Sequence, residues 1–191
     1  MKITETQNNF LVVDFEATCC DKGSVPRNEM EIIEVGAVLV DCHTFRPIDE
    51  FQRFIRPVRH PLLTDFCKTL TTINQWDVDS AATFPAVAKE LERWLAPHRP
   101  VLFCSWGDYD RKQLIQDAEF HRCSNPIGGE HCNVKQRFSD QQGFKRGLGL
   151  GMAMKAAQMR FKGTAHRGID DARNIVRLLP HIFGGVPLGQ R

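Results

Sequence analysis

Asp14 and Glu16 stand two positions apart at the end of the apolar run Phe10-Leu11-Val12-Val13. Side chains alternate along a strand, so both carboxylates point to the same side. Two acids held together after an apolar run repel each other and lose hydration, a cost that a bound cation removes. All-oxygen ligation suits Mg2+ or Mn2+, which take carboxylates, waters and phosphates. The competing explanation is that acids often mark where a strand meets water. On this pair alone, the two explanations stand level.

Two further loci carry similar chemistry. Ser105-Trp106-Gly107-Asp108-Tyr109-Asp110 follows a short apolar segment, and ligand sites in open α/β sheets form outside the carboxyl ends of strands. Capping of the next helix accounts for one of these aspartates, Asp108 or Asp110, but does not require two. His166-Arg167-Gly168-Ile169-Asp170-Asp171 opens the last helical segment. There Asp170 reads as a cap and Asp171 as a first-turn residue. A loop histidine such as His166 can act as a general base near neutral pH, a role that gains weight only beside the acids.

The elements that must position these residues follow from hydrophobic periodicity. Asn9–Thr18 reads as a strand buried on both faces, 31–41 as a second, and Phe51–Ile55 as a third, with Gly36 at a bulge or close backbone approach. Short connections make these three an antiparallel meander. Phe84, Val87, Ala88, Leu91, Trp94 and Leu95 recur at helical spacing, with Thr83 as N-cap and Pro85 in the first turn. Val101–Ser105 is expected as a fourth strand, Tyr109–Arg122 as a helix, and Asn133–Phe138 as a weaker fifth strand. Helices are expected over 147–159 and from Asp170 to about Phe183. Alternation of helix and strand after a meander implies an α/β fold with a mixed sheet.

Together these segments carry a family resemblance. Asp14-Phe15-Glu16-Ala17-Thr18-Cys19, Gly107-Asp108-Tyr109-Asp110, and His166 with Asp171 five positions later resemble the DEDDh 3′→5′ exonucleases, and among them the ERI-1-like subgroup. Glu31-Ile32-Ile33-Glu34, Phe54-Ile55-Arg56-Pro57, and Leu63-Thr64-Asp65-Phe66-Cys67 followed by Leu70-Thr71-Thr72-Ile73 extend the resemblance over roughly residues 9–183. It implies a ribonuclease H-like fold, a five-stranded mixed sheet of order 3-2-1-4-5 flanked by helices. It implies that Asp14, Glu16 and Asp171 hold one divalent cation, Mg2+ or Mn2+, and that Asp14 also reaches a second. Asp110 supports that second cation, and His166 deprotonates the attacking water. Two such ions about 3.5–4 Å apart stabilise the attacking and leaving oxygens. Phe66 and Tyr109 would sandwich the terminal base, Tyr109 standing where relatives often have Trp, and backbone groups of Ala17 and Thr18 would contact the terminal sugar or phosphate. Core packing is the alternative for Phe66. The implied substrate is the 3′ end of single-stranded RNA or DNA, with RNA favoured by the resemblance alone. A DNA-directed proofreading or repair exonuclease and a non-catalytic nucleic-acid-binding module are the rival readings.

Composition sets the outer bounds. The 191 residues, 42% hydrophobic and 25% charged, fit one globular domain and exclude wholesale disorder. A net charge of +2 argues against a grip on many duplex phosphates and favours a short footprint. No apolar run reaches the roughly 20 residues of a membrane helix, and a cytoplasmic location is expected. The seven cysteines lack framework spacing and are expected reduced. His121, Cys123, His131 and Cys132 match no common zinc spacing. Gly147-x-Gly149-x-Gly151 lacks phosphate-loop spacing and fits close packing instead.

Overall fold

The computed structural model describes residues 8–189. Its centre is strand β1 (Asn9–Ala17), whose unbroken apolar run is buried on both sides. Strand β2 (Ile32–Asp41) pairs antiparallel with β1, and β3 (Pro47–Phe54) antiparallel with β2. Helices α1 (Asp65–Thr71), α2 (Gln75–Asp79) and α3 (Phe84–Leu95) lead to β4 (Val101–Ser105), which runs parallel to β1. Helix α4 (Tyr109–Phe120) precedes β5 (His131–Asn133), parallel to β4, and α5 (Val134–Gln142), α6 (Leu150–Ala156) and α7 (Gly168–Ile182) complete the order. The sheet order is β3-β2-β1-β4-β5, the ribonuclease H-like arrangement that the resemblance implied.

Alternation along β1 divides the core. Leu11, Val13 and Phe15 face one side, where Phe84, Val87, Leu91 and Leu95 of α3 and Leu114 of α4 cover them. Phe10 and Val12 face the other, beneath α5, α6 and α7. Asp14 and Glu16 share the parity of Phe10 and Val12, so both acids lie on the α7 side of the sheet.

Three local expectations need correction. The fifth strand is only three residues long, and Val134 to Gln142 is helical. Asn133 caps that helix by accepting the Gln136 N–H, and Val134 and Phe138, one turn apart, are both buried. Helices α1 and α2 lie where no element was expected. Their signals are caps: Thr64 accepts the Cys67 N–H, and Asn74 with Asp77 forms a reciprocal capping box. Helix α7 starts at Gly168, and Asp170 folds the preceding loop by accepting the Thr164 N–H at 2.8 Å.

Helix α7 meets the sheet at two glycines. A Cβ on Gly36 would lie 2.0 Å from the Gly168 carbonyl carbon, and one on Gly168 would lie 2.8 Å from the Asp14 carbonyl oxygen. The close backbone approach expected at Gly36 is thus the seat of α7. Gly36→Ala should cost about 3 kcal/mol or more, since backbone rather than a flexible side chain must yield. That corresponds to a fall in Tm of roughly 6–12 °C for a chain of this size. An unchanged midpoint in thermal denaturation would mean that α7 does not depend on this contact.

Candidate active site

Beyond Cys104, β4 no longer pairs with β1, whose last partner there is Val12. The Phe15 N–H, left without a strand partner on that edge, donates to Asp110 Oδ1 at 3.0 Å. Asp110 sits in the first turn of α4 and is almost fully buried. The competing explanation, that one of these acids is a side-chain cap, is not what the structure shows. Asp108 occupies the N-cap position without a side-chain cap bond and accepts from Asn133 Nδ2 at 3.1 Å. Divergence of two strands therefore draws Asp110 toward Asp14 and Glu16.

Asp171 arrives from the opposite layer. Glu34 of β2, fully buried, accepts from Arg167 Nε at 3.0 Å, Arg167 Nη2 at 3.2 Å and the Gly168 N–H at 3.1 Å. This two-pronged arginine–carboxylate pair fixes the start of α7 in angle as well as distance. Asp171 in turn accepts the His166 N–H at 3.1 Å, and His166 takes a left-handed backbone with φ of 61°. That conformation is uncommon outside glycine but enriched in histidine. The result is a compact group in which ligand atoms of Glu16, His166 and Asp171 all lie within 4.8 Å of one another.

These residues line a cleft of about 290 Å³ together with Asp14, Phe15, Ala17, Cys19, Leu70, Trp106, Tyr109, Asp110 and Leu150. All five residues of the catalytic set expected from the sequence thus meet in one place. Ala17 and Tyr109 join them, and Tyr109 keeps 40% of its surface exposed. Thr18 does not line the cleft: its N–H donates to the Glu31 carbonyl at 2.8 Å and its hydroxyl accepts the Glu31 N–H at 3.0 Å. Phe66 lines a separate shallow pocket with Asp21, Lys22, Thr64, Asp65 and Thr69. One turn further along α1, Leu70 enters the cleft. The four zinc-type residues disperse, His121 stacking on Phe84 and His131 bonding to Ser105 Oγ.

Leu70, Trp106, Leu150 and Cys19 form an apolar wall that the sequence reading missed. Trp106 and Cys19 lie inside the motif segments themselves, and Leu70 follows Phe66 at helical spacing. Leu150 belongs to the discounted glycine segment, which is tied to the site because Trp106 Nε1 donates to the Leu148 carbonyl at 3.0 Å. The close packing expected of the glycines is not found in the helix: a Cβ on Gly149 or Gly151 would meet nothing within 4 Å, and only Gly147, ahead of α6, lies against a side chain, 2.9 Å from Lys135 Cε.

The electrostatics of the cleft are one-sided. Burial, then the negative charge of Asp110 and the other acids, raises the Asp14 carboxyl well above the ordinary carboxylate range. Burial, then Asp171, pushes Glu16 up to about 9. Burial brings Asp110 to about 6 despite the Phe15 N–H, and Asp171 to about 6 despite the His166 N–H. Among the described residues no lysine or arginine forms an ion pair with any of the four, and Arg167 is committed to Glu34. Four oxygen-bearing acids without a counter-charge fit a divalent cation, and the all-oxygen set with one imidazole fits Mg2+ or Mn2+.

The exonuclease family profile matches residues 11–179 of the chain. The chain belongs to the exonuclease family. It is 31% identical over 175 residues to 3'-5' exoribonuclease 1 of Homo sapiens, covering 87% of this chain and 50% of that protein. It is 32% identical over 197 residues to 3'-5' exonuclease eri1 of Schizosaccharomyces pombe, covering 88% of this chain and 66% of that one. The chain thus spans about half the length of the human relative. The solved nuclease domain of 3'hExo, a DEDDh family member bound to rAMP, superposes with a TM-score of 0.84 at 30% identity, covering 93% of this chain and 92% of that one.

The raised carboxyls give this exonuclease-family site a pH signature. Carboxyls unfold to an ordinary pKa near 4, so the folded chain binds more protons than the unfolded one above that value. Their contribution to stability is full below pH ~4 and is lost as pH rises through about 6 for Asp110 and Asp171 and about 9 for Glu16. A cation must displace those protons, so Mn2+ or Mg2+ should raise Tm more at pH 8 than at pH 5.5. Equal shifts at the two pH values in a melting series with and without chelator would contradict this.

Proposed function

We propose that this exonuclease-family chain removes nucleotides from the 3′ end of single-stranded RNA, releasing nucleoside 5′-monophosphates. The observation that carries this is the convergence of Glu16, His166 and Asp171, from a strand, a loop and a helix, within 4.8 Å. The bare acids Asp14 and Asp110 line the same cleft. Asp14, Glu16 and Asp171 would hold one divalent cation, and Asp14 with Asp110 would support a second. Divalent cations bound there would neutralise charge on the scissile phosphate and lower the pKa of water.

The chain's own residues account for the remaining roles. His166, exposed on its loop beside Asp171, would accept the proton of the attacking water. Asp110, held at Oδ1 by the Phe15 N–H, would take an outer supporting role. Tyr109 offers a face to the terminal base, with Leu70 lining the cleft and Phe66 one turn before it on α1. Stacking of this kind is sequence-tolerant. Backbone groups of Ala17 would meet the terminal sugar or phosphate, whereas the Thr18 N–H and hydroxyl are bonded to Glu31. The RNA preference rests on relatives named as exoribonucleases and on the rAMP bound to the solved neighbour. We take the chain as one catalytic domain acting in the cytoplasm. No described helix is long and apolar enough to cross a membrane, and no disulfide joins the described cysteines.

A time course on 5′-labelled single-stranded RNA and DNA of matched sequence, with Mg2+, Mn2+ or chelator, tests the proposal. A metal-dependent ladder shortening from the 3′ end is expected, faster on RNA and abolished by Asp14→Ala. His166→Ala should lower kcat by about 10²–10⁴-fold, the usual contribution of a general base, with a smaller change in KM. Wild-type activity in Asp14→Ala would overturn the metal mechanism. Binding without cleavage in the wild type would favour a non-catalytic module, and faster cleavage of DNA a DNA-directed enzyme.

A further inference from the structure

Tyr109 lines the cleft, and the Arg27 guanidinium lies over its ring, 4.5 Å from the centre, while Arg27 itself does not line the cleft. Arg27 is held in place. Its Nη1 donates to Gln113 Oε1 at 2.6 Å, and Gln113, one turn along α4 from Tyr109, is fully buried. Gln113 Nε2 donates to the Met30 carbonyl at 2.8 Å and to Asp117 Oδ1 at 3.1 Å. Asp117 accepts the Ile32 N–H at 2.7 Å. A chain of polar contacts thus runs from the start of β2 through the interior of α4 to a cation placed over an aromatic ring. A guanidinium at this distance is attracted to the ring face, and planar stacking restricts the ring's tilt.

We propose that Arg27 is a positioning residue that holds Tyr109 as the rigid platform for the 3′-terminal base. This rests on the reading of Tyr109 as a base-stacking residue. The guanidinium acts through the ring and not on the phosphate, so its effect requires a base on the ligand and a ring on the protein.

The test compares wild type, Arg27→Ala, Arg27→Lys, Tyr109→Ala and the double variant Arg27→Ala/Tyr109→Ala, each first checked by melting temperature. Affinities for adenosine 5′-monophosphate and for ribose 5-phosphate are measured with Mn2+ present, alongside KM and kcat on single-stranded RNA. Arg27→Ala is expected to weaken adenosine 5′-monophosphate about two- to five-fold, the worth of an exposed cation–π contact. Ribose 5-phosphate affinity should not move, and KM should change more than kcat. Arg27→Lys should lose part of this, because an ammonium keeps the charge without the plane. Tyr109→Ala should weaken the mononucleotide, and adding Arg27→Ala to it should change nothing further. Equal loss for both ligands, or further loss in the double variant, would show Arg27 acting on the phosphate and overturn the proposal. If Tyr109→Ala weakens the mononucleotide and Arg27→Ala does not, the positioning role alone fails. If Tyr109→Ala leaves mononucleotide affinity intact while cleavage persists, the stacking reading fails and takes this role with it.

Discussion

The approach of two backbones at Gly36 and Gly168 governs the rest of the site. Any side chain at Gly36 would occupy the Gly168 peptide, so α7 reaches the sheet only because β2 presents a bare backbone there. Gly36 is the register partner of Asp14, which places the start of α7 against the strand that carries the first acid. Glu34, two residues earlier on β2, adds direction by holding Arg167 and the Gly168 N–H on one buried carboxylate. A buried ion pair is weak evidence for stability, because desolvation opposes its attraction. Here its geometric effect is the relevant one: it sets where the His166 loop and Asp171 come to rest.

That seat works against electrostatics. Asp14 and Glu16 point the same way because strands alternate, and Asp110 and Asp171 are brought to them by contacts made elsewhere. The Phe15 N–H accounts for one and the Glu34–Arg167 pair for the other. The fold holds acids together that would separate if free, and their raised proton affinities record the cost. Such perturbation clusters at functional sites because a ligand, not the protein, supplies the missing charge. The match to the exonuclease family and to a solved nuclease domain along almost the whole chain is consistent with that division of labour.

The apolar side of the cleft is assembled differently. Leu70, Trp106 with Tyr109, and Leu150 come from three separate segments, two of them tied by the Trp106–Leu148 hydrogen bond. Trp106 and Leu150 pack against the apolar layer beneath α5, α6 and α7, and Tyr109 has the Arg27 guanidinium over its ring.

Local pattern made much of this legible in advance. The unbroken run before Asp14 marked a central strand, the period-two rule put both acids on one side, and the helical period from Phe84 to Leu95 fixed the layer beneath. Asp110, His166 and Asp171 could be named together only because their types and order resemble the DEDDh motifs; local pattern alone left capping open at Asp108 and Asp110. Short elements were harder. Val134 and Phe138 are compatible with strand or helix until the cap at Asn133 is weighed, and α1 and α2 announce themselves only through Thr64 and Asn74. The sequence by itself determined which side chains carry charge, which segments are buried, and which residues can serve a cation. Only the tertiary structure decided that Thr18 is spent on Glu31, that Leu70 and Leu150 line the cleft, and that Arg27 lies over the Tyr109 ring. Those outcomes depend on contacts between residues far apart in the chain, and no local period or propensity encodes where such partners meet.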